Sequence, residues 1–203
     1  MKERGEATEV VGVTIGGEEA DEQVRAAMAM GVDRVTRVND ERPLDSAAVS
    51  RILQAFVERE GADLVLMGKQ AIDDDSNQAG QMLAGRLGWP QATFVSEIVP
   101  DPAARSARCT RETDRGLEHL TVTLPAVVTA DLRLNEPRYV SLPALMRVKR
   151  RPIEVLSAEE LAPGVEPRTR VLRTAPAPRR SAGVRVESVE ELVRLLTEEE
   201  KVL

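Results

Sequence analysis

The chain has 203 residues, 42% of them apolar, enough for one full domain or for a domain with an extended arm. Charged residues make up 31% and the net charge is −6. A nucleic-acid partner is therefore not expected, because phosphate backbones bind basic surfaces. The aromatic residues are Phe56, Trp89, Phe94 and Tyr139, too sparse for a base-stacking platform. The single cysteine, Cys109, allows no intrachain disulfide and is read as incidental. No apolar run reaches the ~18 residues of a membrane span. The polar start, Met1-Lys2-Glu3-Arg4-Gly5-Glu6, lacks a secretory core. A cytoplasmic or matrix home without membrane insertion is expected.

The run Val10-Val11-Gly12-Val13-Thr14-Ile15 predicts a buried parallel strand ending in Gly16-Gly17. Residues Glu18 to Met30 carry Val24, Ala27 and Met28 at helical spacing, with Gly31 as the stop. Arg34 to Val38 reads as a short strand. Ala47 to Glu60 is amphipathic, with Asp45 or Ser46 as its cap. Asp63 to Met67 is a second buried strand, and Asn77 to Leu87 a helix stopped by Gly88. This alternation predicts an α/β fold, a Rossmann-like (adenine nucleotide α-hydrolase-like) parallel sheet with helices on both faces. Phe94–Val99, Ala107–Glu112 and Leu117–Leu124 read as a small antiparallel β extension, with Asp114-Arg115-Gly116 as its hairpin turn. Ala126 to Ala130 is a buried strand and Ser141 to Arg150 a short helix. Prolines at 152, 163, 167, 176 and 178 predict an extended C-terminal arm, followed by a last amphipathic helix over Val186 to Glu200. The division expected is 1–150 for the α/β domain and 151–203 for the arm and helix.

Two stretches carry chemistry. The first is Gly68-Lys69-Gln70-Ala71-Ile72-Asp73-Asp74-Asp75-Ser76-Asn77-Gln78-Ala79-Gly80-Gln81, between a strand and a helix. A helix start offers unpaired N–H groups and a dipole that favours anions, so a phosphate can dock there without a catalytic side chain. Ser76, Ala79 and Gly80 are small enough to admit it, the amides of Asn77, Gln78 and Ala79 are the natural donors, and Asp74 suits a ribose. Two plainer readings stand beside this one: Asp73, Asp74, Asp75 and Ser76 cap a helix, or the carboxylates hold a metal. The second stretch is Leu142-Pro143-Ala144-Leu145-Met146-Arg147, followed by Lys149, Arg150 and Arg151. Its apolar knob beside positive charge suits docking onto an acidic partner. Equally, it reads as a core helix with a solvated basic end.

Asp63 to Asp75, Asn77-Gln78, Trp89-Pro90-Gln91 and Leu124 to Met146 together resemble the signature regions of the electron-transfer flavoprotein β (small) subunits. The resemblance runs from about Val10 to the C-terminal helix. It implies a heterodimer with a larger α subunit that holds most of the FAD, while the β subunit of the non-bifurcating type buries a structural AMP. It implies AMP contacts at Ile15 and at Gly68, Lys69, Gln70, Ala71, Ile72, Asp73, Asp74, Asp75, Ser76, Asn77, Gln78 and Ala79. Ala79 departs from the threonine of many relatives, which keeps the amide and loses a hydroxyl. The unbroken acidic run favours AMP over the second FAD of bifurcating relatives. Partner recognition falls on Tyr139, Leu142, Pro143, Leu145, Met146 and Arg147, with Leu142 as the anchor for acyl-CoA dehydrogenases and related dehydrogenases. Glu112 is placed facing the α subunit. The resemblance further implies that electrons pass to a membrane electron-transfer flavoprotein:quinone oxidoreductase.

The family carries about fifty further N-terminal residues, which supply the central strand on which such a sheet opens, so a sheet built from these 203 residues is expected to lack it. An adenine-nucleotide hydrolase or sensor is the rival from another class. It needs a Walker-type Gly-Lys-Ser/Thr, and Gly68-Lys69-Gln70 does not supply one. His119 is the sole histidine and reads as structural.

Overall fold

A computed structural model describes residues 1–179, 182–199 and 201–202. The chain forms two compact units, Met1–Arg170 and Val171–Leu203.

The first unit is α/β. Its strands are β1 (Val11–Ile15), β2 (Arg34–Asn39), β3 (Leu64–Gly68), β4 (Gln91–Asp101), β5 (Ser106–Thr113), β6 (Gly116–Thr123), β7 (Ala126–Ala130) and β8 (Glu154–Ser157). Its helices are α1 (Asp21–Met30), α2 (Ser46–Glu60), α3 (Ala79–Leu87), α4 (Leu142–Val148) and α5 (Ala158–Leu161). The strands form two sheets. One, in the order β1-β2-β8, is parallel throughout; the other runs β3-β7-β4-β5-β6. In the latter, β7 pairs parallel with β3 and β4, and β4-β5-β6 form the antiparallel extension.

The parallel, Rossmann-like core matches the expected fold class, but the single sheet is interrupted between β1 and β3. Gly16 N–H bonds Val38 O, and Lys69 N–H bonds Ala130 O. Alternate residues of a parallel strand bond the same neighbour. Val13 and Ile15 in β1, and Leu66 and Gly68 in β3, therefore turn their amides away from the paired strand. This also explains why two strands expected to be buried are not: Leu66 is 46% exposed and every residue of β1 is half-buried. Strand β7, flanked on both sides, buries Ala126 through Thr129 completely.

Helix α2 joins the two sheets. Ala48 and Ile52 pack on Val38 of one, and Val57 and Leu53 pack with Val127 of the other and with Leu83 and Ala84 of α3. Helix α1 covers the opposite face of β2, setting Val24 and Met28 against Val35. Val35 and Val38 differ in parity along the strand, so the two helices lie on opposite faces.

The observed α1 begins later than expected because Glu18–Ala20 forms a 3-10 turn. The polar arm expected from residue 151 also begins later. Glu154–Ser157 pairs in register with Thr36–Asn39, and Ala158, Ala162 and Val165 are buried against Val38 and Ile52. Burial of these small apolar side chains outweighs the signal of the flanking prolines. In the second unit, Ser188 Oγ accepts from Glu191 N (3.1 Å) and caps α6 (Val189–Arg194). The chain continues in wider π turns over Leu195–Glu199. Glu200, the expected end of this helix, lies outside the described residues.

Asp45 binds two segments at once. Its Oδ1 accepts from Ala48 N (2.9 Å), capping α2, and its Oδ2 accepts from Arg168 N (2.6 Å) and Thr169 N (2.9 Å). The N–H donors, that of Ala48 first, hold its carboxyl below the usual carboxylate range. Asp45→Ala should lower unfolding free energy by about 1–2 kcal/mol at pH 7, the range for a lost N-cap. A depressed folded pKa stabilises above the unfolded value of about 4, and that contribution is lost as pH falls through the folded value. Urea melts should therefore show the wild-type advantage shrinking below about pH 4.

Candidate functional site

The loop from Gly68 to Ala79 starts at the carboxyl end of β3 and feeds α3. Its base is fixed by charge. Lys69 Nζ lies 2.7 Å from Asp131 Oδ2, at the carboxyl end of the neighbouring β7, and 5.3 Å from the Phe94 ring centroid. Asp131 is 8% exposed and also accepts from Arg133 N at 3.2 Å. Lys69 first, then the Arg133 amide, holds its carboxyl below the usual range. Phe94 sits at φ 57, in the left-handed region, where β4 shifts register against β7. Its N–H donates to Thr129 Oγ1 (3.3 Å), which helps hold a conformation that costs about 1–3 kcal/mol.

Beyond Lys69 the loop closes on itself. Asp75 N bonds Ala71 O (3.1 Å), Asp74 N bonds Asp73 Oδ1 (2.8 Å), and Ser76 N bonds Asp74 Oδ1 (3.1 Å). Gln70 Nε2 donates to Asp75 Oδ1. Asp75 (φ 54) and Asn77 (φ 49) are left-handed and reverse the backbone toward the helix. Asn77 thus precedes the helix rather than starting it, and the helix begins at Ala79.

The acidic run does not cap this helix. The residue before its first turn is Gln78, and it makes no side-chain cap bond. The carboxylates serve loop amides instead, so the first N–H groups of α3 remain open, as a phosphate site requires. Asp74 keeps one carboxyl oxygen clear of protein donors among the described residues, which suits a ribose hydroxyl. Gly80 also serves the packing: a Cβ there would lie 2.5 Å from Thr129 Cγ2 and 3.2 Å from Met67 Sδ. Its smallness lets α3 pack on β3 and β7. Among the described residues no group of three or more metal-ligating side chains forms. Ile15, the remaining expected nucleotide contact, lies on the other sheet and packs with the Val38 and Ile52 cluster. Residues 68–79 form one continuous loop, and Ile15 stands at the carboxyl end of β1.

The knob stands apart from this loop. Ser141 Oγ accepts from Ala144 N (3.4 Å) and starts α4. Tyr139 is 93% exposed, Leu142 70% and Met146 60%. Pro143 and Arg147 are exposed and Leu145 is at 39%, while Val148 alone is buried, against Val24, Met28 and Val35. It is therefore not a core helix. Arg147, Lys149 and Arg150 form no ion pair among the described residues. Glu112, at the end of β5, is paired with Arg133, which also reaches Asp131. The chain Lys69–Asp131–Arg133–Glu112 was not foreseen. Its sequence signal was a charge placed directly after each of two strands, Lys69 and Asp131, which only their pairing brings together.

These features define a class: a Rossmann-like α/β protein with an uncapped helix start after β3 and a separate exposed apolar knob. Residues 1–161 match the electron transfer flavoprotein domain. The chain is 47% identical to the electron transfer flavoprotein subunit beta of Bradyrhizobium diazoefficiens over its whole length, covering 81% of that relative. It is 43% identical to the mitochondrial subunit beta of Arabidopsis thaliana over the whole chain and 81% of that protein, and 45% identical to subunit beta of Bos taurus over 98% of the chain and 78% of that protein. The chain belongs to the electron-transfer flavoprotein family, among its β subunits.

The helix start gives a direct prediction. Gln78→Glu adds a negative charge where the dipole favours one, so the protein should melt unchanged or gain about 0.5 kcal/mol. On the nucleotide reading proposed below, the same charge should weaken AMP binding about tenfold by repulsion. Calorimetric titration checks this; unchanged or tighter binding contradicts the cradle.

Proposed function

We propose that this chain is the β subunit of a heterodimeric electron-transfer flavoprotein of the non-bifurcating type, an electron carrier and not an enzyme. The observation that carries the nucleotide assignment is the uncapped start of α3, reached through a loop whose own acids are already engaged. The amides of Asn77, Gln78 and Ala79 would take the phosphate of a structural AMP, with Gln70, Ala71, Ile72, Asp73 and Asp74 along its flank. Lys69, the cation at the base, is committed to Asp131, which fits a monophosphate better than a longer, more charged tail.

An α subunit would hold most of the FAD, which supplies the redox chemistry when bound. The residues of this chain then act by shape and charge. Leu142 and Met146, flanked by Tyr139, Pro143, Leu145 and Arg147, would dock an acyl-CoA dehydrogenase or related dehydrogenase in fatty-acid oxidation. The free cations beside them would steer an acidic surface. Glu112 would face the α subunit and exchange Arg133 for a partner cation there. Residues 171–203 would pack on the α subunit, giving their exposed Val171, Leu172, Val184 and Val189 a surface to cover. Electrons would go on to a quinone oxidoreductase at the membrane. The relatives include a bacterial and several mitochondrial proteins, and cytoplasm or matrix suits this role.

Co-expression with the larger subunit and acid extraction of the purified complex test the reading. Equal amounts of AMP and FAD are expected; FAD in twofold excess over the dimer without AMP would indicate a bifurcating protein, and hydrolysis of added ATP a nucleotide hydrolase. For the knob, Leu142→Ala should raise the apparent KM for a reduced acyl-CoA dehydrogenase about tenfold, the scale of a lost docking anchor, with flavin content unchanged. An unaltered KM removes the anchor role.

A further inference from the structure

We infer that Arg25, on α1, is a positioning residue for partner docking: it clamps the carboxyl end of α4 and thereby sets how Leu142 and Met146 are presented. This rests on the docking reading above. Helix α4 has seven residues, too few to hold itself in water, so its direction must be imposed from outside. Only Val148 is buried, and one apolar contact fixes a point but leaves the axis free to swing. The Ser141 cap at its other end is local and moves with it.

Arg25 supplies the second fixed point. Its Nη1 donates to Val148 O (2.9 Å) and to Arg151 O (3.2 Å), one carbonyl in the last turn and one just past it. Carbonyls at a helix end lack the next turn's amides; Val148 O already accepts from Arg151 N (3.0 Å), so Arg25 adds a second bond to it and reaches Arg151 O beyond the helix. Arg151 in turn donates from Nη2 to Asp33 O (2.6 Å), so residues 148–151 are held on the α1–β2 connection at a second place. Val24 and Met28 of the same α1 seat Val148. Apolar seat and polar clamp therefore come from one rigid helix.

The charge pattern makes this contact unusual. Arg147, Lys149, Arg150 and Arg151 already crowd this end, and a fifth cation is repelled by them. The carbonyl end of the helix compensates, because it carries partial negative charge. Arg25 thus holds the geometry of the knob and adds to the positive field that an acidic partner meets.

A brace for the fold and a positioning residue give different signatures. Arg25→Met keeps the alkyl stem and removes the donors. In the assembled heterodimer, it should raise the apparent KM for a reduced acyl-CoA dehydrogenase about tenfold, the scale of lost charged hydrogen bonds, while kcat, flavin content and AMP content stay as in the wild type. Hydrogen exchange should quicken at Leu145 to Lys149 and not in the core strand β7. Arg25→Lys keeps a donor and should recover most of the KM. If Leu142→Ala raises KM and Arg25→Met does not, the positioning role is overturned and the docking reading stands. If neither raises it, the docking reading falls as well. If Arg25→Met loses AMP, fails to pair with the larger subunit or does not fold, Arg25 is a brace and the inference is overturned.

Discussion

The structure depends on helix α2 bridging two sheets that share no hydrogen bonds among the described residues. The loop at 68–79 grows from β3 in one sheet; the exposed helix α4 rests on α1 and β2 of the other. Ile52, fully buried, lies on Val38 in the second sheet, and Val57 reaches Leu83 and Val127 in the first. Truncating a side chain like Ile52 costs about 2–5 kcal/mol in other cores. Here the loss falls on the apolar bridge between the two sheets. Asp45 reinforces it, fastening the helix start to residues 168 and 169.

Within the nucleotide half, charge settles what packing does not. A loop with three consecutive acids is an unpromising place for a phosphate. The loop resolves the conflict by spending its carboxylates locally: Asp73 and Asp74 take loop amides, and Asp75 takes Gln70. What remains is a helix start with free N–H groups and no competing cap. Lys69 and Asp131 pin the loop base across the β3–β7 pair, and Arg133 extends that line to Glu112. The proposed anion site and Glu112 are thereby joined through four charged side chains, Lys69, Asp131, Arg133 and Glu112.

Much of the fold was legible in the sequence. The apolar runs at Val11 and Leu64 and the helical periodicity of residues 46–60 mark elements that the structure forms within a residue or two. The loop at 68–79 was readable because a strand, a polar turn and a helix follow in order. What was not readable is set by tertiary contact. Nothing local distinguishes Asp74 as a loop-amide acceptor from Asp74 as a helix cap. The left-handed Phe94 follows from its bond to Thr129, thirty-five residues away. The strand at 154–157 is short and sits among prolines, and only the open edge of β2 makes it a strand. Arg25 looks like a solvated helix residue until Val148 and Arg151 come to lie beside it.

The most direct test of the central claim is amide hydrogen exchange in the assembled heterodimer, with AMP bound and after its removal. The account predicts that AMP protects the amides of Asn77, Gln78, Ala79 and Gly80 more than any other group in the chain. It further predicts that α4, on the other sheet, is unaffected. Protection absent from residues 77–80, or centred on another strand end, would contradict the assignment of the nucleotide to the open start of α3.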